Sequence, residues 1–104
     1  MYFKGQKFLV AGISGSGESS ARFLLARGAA VYLYDDMITH AVRAAMDKLI
    51  AAGAEEVTAS LYQDAVRGCD VLVLSPGIPI DNALPVAFRR MGKLIIGEEE
   101  LAAA

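Results

Sequence analysis

The stretch that most constrains this chain is Gly12-Ile13-Ser14-Gly15-Ser16-Gly17, a glycine-rich turn between two segments of different periodicity. Before it, Phe8-Leu9-Val10-Ala11 is continuously apolar, the pattern of a strand buried on both faces. After it, Gly17, Ala21, Leu24 and Leu25 recur at helical spacing up to Arg27, with Glu18 and Arg22 left outside. Gly28 stands where a helix-ending glycine belongs. A buried strand that runs straight into a helix calls for a parallel neighbour reached by a crossover.

The same unit recurs down the chain. Val31-Tyr32-Leu33-Tyr34 reads as a second strand closed by Asp35-Asp36. Ile38, Val42, Ala45, Leu49 and Ala52 then mark the inner face of a second helix ending at Gly53. Val57-Thr58-Ala59 is a short third strand suited to a sheet edge, and Gln63 to Arg67 predicts one helical turn before Gly68. Val71-Leu72-Val73-Leu74 is a fourth strand, broken by Ser75-Pro76-Gly77. Asn82 is placed to cap a helix whose inner face is Leu84, Ala87, Phe88 and Met91, with Pro85 tolerated in the first turn. Lys93 to Ile96 makes a fifth strand. The expected fold is α/β: a single Rossmann-like domain with a doubly wound, parallel, five-stranded sheet in the order 3-2-1-4-5.

Composition narrows the functions open to such a fold. The 104 residues are 55% hydrophobic and 21% charged, which suits one packed domain. Ten basic and twelve acidic residues leave a formal charge of −2, which argues against a nucleic-acid partner or a polybasic membrane surface. No apolar run reaches the roughly 18 residues of a membrane span. The lone cysteine, Cys69, excludes an internal disulfide and is expected to pack. His40, the only histidine, is expected to be a solvated helix residue, and the whole reads as soluble and intracellular.

In a sheet of this order, ligands bind beyond the C-terminal strand ends, beside the switch between strands 1 and 4. Three segments converge there: Gly12 to Gly17, Asp35 to Met37, and Ser75 to Pro79. The glycine turn has the spacing of a dinucleotide fingerprint, with Ser14 in place of the middle glycine and Gly15 one position later. Free amides of Gly15 to Glu18, at the positive end of a helix, suit a phosphate, and Ser14 and Ser16 add hydroxyls. With no lysine in the turn, it does not match a triphosphate-gripping loop, and a diphosphate is the expected ligand. The competing reading is a tight turn that needs glycine for geometry alone. Asp35 is placed to accept from ribose hydroxyls or a base N–H, which fits NAD or a uridine nucleotide and disfavours NADP. Capping of the second helix by Asp36 or Thr39 is the alternative use of this segment. Ser75-Pro76-Gly77-Ile78-Pro79 offers a stiff wall, with Gly77 allowing close approach or a positive φ.

Taken in order, the glycine turn, Ser20 to Leu24, Asp35-Asp36, Leu74 to Pro79 and Gly97-Glu98-Glu99-Glu100-Leu101 resemble the N-terminal domain of the Mur ligases. Within that family, the Ser-Pro-Gly-Ile-Pro turn points to the D-glutamate-adding member. The likeness runs from about Lys7 to Leu101 and implies a bacterial, cytoplasmic enzyme of peptidoglycan synthesis. It also implies that this domain holds the UDP part of UDP-MurNAc-L-alanine. Ser14, Gly15, Ser16 and Gly17 would then hold the diphosphate. Asp35, Asp36 and Met37 would flank the uracil, and Ser75, Pro76 and Gly77 would face it. Ser14 departs from the glycine frequent in the family, and Met37 offers no hydrogen bond where some relatives carry a polar side chain. The family's ATP and Mg2+ site and its D-glutamate site lie in further domains, so residues 1–101 are expected to be the UDP-binding domain and 102–104 the start of a truncated linker. This chain alone is expected to be inactive. The reading it competes with is an NAD-binding domain of a dehydrogenase or a ligand-sensing regulator.

Overall fold

A computed structural model describes residues 2–102. The elements are β1 (Lys7–Ala11), α1 (Ser16–Ala26), β2 (Ala30–Tyr34), α2 (His40–Ala51), β3 (Glu55–Glu56), a 3₁₀ turn (Ala59–Leu61), α3 (Tyr62–Gly68), β4 (Val71–Leu74), α4 (Ala83–Arg90), β5 (Leu94–Gly97) and α5 (Glu98–Ala102). The five strands are all parallel, in the order β3-β2-β1-β4-β5. The expected linker at 102–104 begins inside α5, since Ala102 is its last residue, while positions 103 and 104 lie outside the described residues.

The central strand explains the two-sided core. Phe8 and Val10 pack under α1 and α2 with Leu24, Met46 and Leu49, whereas Leu9 and Ala11 face Leu72, Leu84 and Phe88 on the other side. Alternation of side chains along β1 therefore feeds both layers, which is why its sequence is apolar without a break. Outside the core, the Arg43 guanidinium donates to both oxygens of Glu56 at 2.8 and 3.2 Å and ties α2 to the edge strand. Lys93 Nζ donates to the carbonyls of Val66 and Arg67 at 2.8 and 2.6 Å, placing a cation on the C-terminal end of α3.

Several boundaries differ from the sequence expectation. The third strand lies at Glu55–Glu56 and not at Val57–Ala59, because Thr58 turns the chain into the 3₁₀ segment. Val57 still donates its amide to the Leu33 carbonyl at 2.8 Å and buries its side chain. The turn expected at Gln63–Arg67 extends to Tyr62–Gly68. Ile38 precedes the Thr39 cap and is exposed, so the buried stripe of α2 is Val42, Ala45, Met46 and Leu49. Met91, expected on the inner face of α4, is the C-cap and 46% exposed, while Leu84, Pro85 and Phe88 are buried. The chain leaves α4 through Gly92 at φ +69°, which carries Met91 off the stripe.

Candidate functional site

The glycine turn is built by backbone demands at two positions. Gly12 has φ +88°, and a Cβ there would stand 2.7 Å from the Ser75 Cβ, so the ends of β1 and β4 approach too closely for any side chain. Gly17 lies in the first turn of α1, where a Cβ would fall 1.8 Å from the Gly12 carbonyl oxygen. These contacts press the N-terminus of α1 against the end of β1. The helix is left without a side-chain cap, and the Gly17 amide reaches only the Ser14 carbonyl, at 3.4 Å. Ser14, Gly15 and Ser16 are exposed, and the space over Gly15 is open. Unsatisfied amides and the helix dipole together make this end a place for an anion.

Asp35 is tied into the turn. Its Oδ2 accepts from the Ile13 amide at 2.9 Å and its Oδ1 from the Met37 amide at 3.0 Å, so one carboxylate joins the glycine turn to the end of β2. The cap of α2 is Thr39, whose Oγ1 accepts from the Val42 amide. Asp36 caps nothing; its Oδ1 accepts from the Tyr34 hydroxyl at 2.7 Å. That hydrogen bond, with burial and the Asp36 charge, pushes the Tyr34 phenol up to about 12. Tyr34 also packs edge-on against Tyr62, with ring centroids 5.4 Å apart. Met37 projects away, 71% exposed, and contributes its amide alone.

The third segment forms a turn in which the Ser75 carbonyl accepts from the Ile78 amide at 3.0 Å. Gly77 does not have the positive φ that was one reason for glycine there, and a Cβ would meet only Ser75 Oγ at 4.0 Å within the protein. A cleft of about 190 Å³ joins the segments: Gly12 and Ser14, Asp35 and Asp36, Ser75 and Gly77 all line it. Ser16 and Pro76 instead line a second, larger cleft of about 630 Å³ between α1 and α5.

A family model for the Mur ligase MurD-like N-terminal domain matches residues 6–97. The chain belongs to this MurD-like family. It is 39% identical over 103 residues to a UDP-N-acetylmuramoylalanine–D-glutamate ligase of Acidobacterium capsulatum, covering 99% of this chain and 22% of that protein. The same enzyme of Koribacter versatilis is 36% identical over 103 residues, with 99% and 23% coverage. The chain thus spans less than a quarter of the length of these curated relatives. Among solved structures, a shikimate dehydrogenase from Aquifex aeolicus superposes with a TM-score of 0.66 at 14% identity, covering 96% of this chain and 45% of that one. An imine reductase from Bacillus cereus gives 0.61 at 18%, covering 88% of this chain and 31% of that one. These two likenesses establish the Rossmann-like fold alone.

In this MurD-like domain, the sequence motifs located the three segments but not all the walls between them. Tyr34, Ile78, Asn82 and Leu84 also line the smaller cleft. Tyr34 was accessible to reasoning, since it immediately precedes Asp35 at a strand end. Asn82 was read as a helix cap, and it is one: its Oδ1 accepts from the Leu84 amide at 3.1 Å. Glu98, part of the Gly97 to Leu101 segment of the resemblance, is buried, at 7% exposure, beside the larger cleft. Among the described residues no group of three His, Cys, Asp or Glu side chains could hold a metal ion, and the turn carries no lysine.

Proposed function

We propose that this chain is the UDP-binding domain of a D-glutamate-adding Mur ligase. The observation that carries the reading is the glycine turn that leads into the uncapped start of α1, whose Gly12 and Ser14 line one cleft with Asp35, Asp36 and Ser75, in a chain of the MurD-like family. Amides and hydroxyls of Ser14, Gly15 and Ser16 hold the diphosphate, with Gly17 permitting the approach of helix to strand. Asp35, Asp36 and Met37 flank the uracil, Met37 through its backbone, while Ser75 and Gly77 form the opposite wall and Pro76 faces the neighbouring cleft. The free lone pairs of Asp35 accept from the uracil N–H while its other contacts hold the turn.

The parent protein would join D-glutamate to UDP-MurNAc-L-alanine at the expense of ATP with Mg2+, in the bacterial cytoplasm, using domains outside residues 1–101. No described helix is long and apolar enough to cross a membrane. The domain described here binds and orients one end of the substrate and is inactive alone. Amide-shift titration of this chain with UDP tests the reading: Gly15 to Gly17, Asp35 and Gly77 should move together. Tighter binding of NAD than of UDP would transfer the site to the dehydrogenase class, and no response to either would leave the glycine turn purely structural.

A further inference from the structure

Asn82 has half of its side chain left over after its structural task. It is the N-cap of α4, where Oδ1 accepts from the Leu84 amide at 3.1 Å. That bond fixes the two ends of the carboxamide: the oxygen faces the helix, and Nδ2 keeps two N–H donors for another partner. Asn82 is half-buried and lines the cleft of about 190 Å³ together with Asp35 and Asp36. The carboxylates there only accept, and the Tyr34 hydroxyl spends its proton on Asp36. The loop that carries Asn82 is braced. The Ile78 amide donates to the Ser75 carbonyl at 3.0 Å, the Asn82 amide to the Pro79 carbonyl at 3.0 Å, and the Arg89 guanidinium to the Ile80 carbonyl at 2.9 Å. A donor held on such a backbone meets a ligand with little ordering left to do.

Resting on the UDP-binding reading, we propose that Asn82 is a specificity-determining residue for the base, its Nδ2 donating to a ring carbonyl of uracil while Asp35 accepts from the neighbouring N–H. The polar edge of uracil alternates carbonyl, N–H and carbonyl, so an acceptor alone reads only its middle and meets oxygen on either side. The structure brings the two kinds of group to one cleft from the segments that follow β2 and β4, the strands flanking β1. Ile78 and Leu84 line the same cleft and offer apolar surface to the ring. A base without a carbonyl at that position leaves the Asn82 donors unpaired, which is how a polar site rejects the wrong ligand. Capping does not by itself require asparagine, because serine and aspartate cap as well. The two tasks of Asn82 are therefore separable.

The test uses UDP and inorganic pyrophosphate, which has no base, on the unmodified chain and on Asn82→Ser. Asn82 is the only asparagine in the sequence, so its side-chain N–H signals are readily assigned. In the unmodified chain those signals should shift with UDP and stay in place with pyrophosphate. Asn82→Ser keeps a capping oxygen and should melt within about 2 °C of the parent. It should bind UDP about fivefold more weakly, as for one lost hydrogen bond, and pyrophosphate with less than about twofold change. Asn82→Asp also keeps the cap and replaces the donor by an acceptor, so it should weaken UDP further. Side-chain signals that ignore UDP overturn the proposal whether or not a variant folds. Unchanged UDP affinity in Asn82→Ser overturns it, and so does equal weakening of both ligands, which would make Asn82 a support of the turn. Failure of UDP itself to bind the unmodified chain instead removes the reading on which the proposal rests.

Discussion

Replacing Asp35 by alanine separates its structural work from any contact with a ligand. The change removes two hydrogen bonds in which backbone amides donate to a carboxylate, at 2.9 Å from Ile13 and 3.0 Å from Met37. The Met37 amide is exposed, so water replaces its lost acceptor at little cost. The Ile13 amide is partly buried at the foot of the glycine turn, and its own side chain is fully enclosed. Loss of one charge-assisted bond of this kind should cost about 1.5–3 kcal/mol. At an unfolding entropy of about 2.1 cal/mol/K per residue, that lowers the melting temperature of this 104-residue chain by about 7–14 °C. Asp35→Asn keeps one acceptor oxygen for two amides and should fall between. Thermal unfolding followed by circular dichroism gives the stability, and UDP titration well below both melting temperatures gives the affinity. A melting temperature within about 2 °C of the parent, where 1 kcal/mol should move it by about 4–5 °C, would refute the bracing role. Weakened UDP binding at unchanged stability would make Asp35 a ligand contact only.

Two further substitutions probe other parts of the same frame. Gly17→Ala would place its Cβ 1.8 Å from a backbone oxygen, while Gly15→Ala meets open space at φ +61°. The first should cost more than about 3 kcal/mol and the second about 1–2, so equal urea midpoints would contradict the close-packing argument. Burial raises the Cys69 thiol to about 11, against 9.0 for the free group, partly opposed by Lys93. The native state therefore keeps its proton where the unfolded chain has lost it. The stability so contributed is complete below pH 9 and disappears as the pH climbs through 11. Cys69→Ala should flatten that part of the stability–pH curve, and the native thiol should react slowly with alkylating reagents at pH 8. An unchanged slope, or rapid alkylation of the folded protein, would contradict the assignment.

The strand order and the convergence of three segments were legible because both depend on local patterns: buried strands read as unbroken apolar runs, and glycine marks the turns. The boundaries that moved lie where tertiary contacts overrule those patterns. Val57 and Thr58 are both β-branched, which suits a strand, but one amide bond to Leu33 is the pairing Val57 makes before Thr58 turns away. Ile38 and Met91 continue helical stripes by spacing, yet Ile38 precedes the Thr39 cap and Met91 is itself the C-cap, where periodicity carries no information about which way the chain goes.

The site illustrates a different limit. Asp35 stood out by its place after the second strand, but no spacing rule announces that its two oxygens grip amides on separate segments. Gly77 invited an argument from backbone freedom that its angles do not need, whereas Gly12 and Gly17 are required by contacts more than by composition. Glu98 is the converse case. Three successive glutamates look like a solvated helix start, and two of them are exposed. The first is enclosed because α5 follows β5 directly and packs against α1, with Glu98 Oε1 3.6 Å from where a Gly17 Cβ would stand. What excludes a side chain at Gly17 is the Gly12 carbonyl oxygen, so the burial of Glu98 comes from the β5–α5 junction, which a run of three glutamates does not announce.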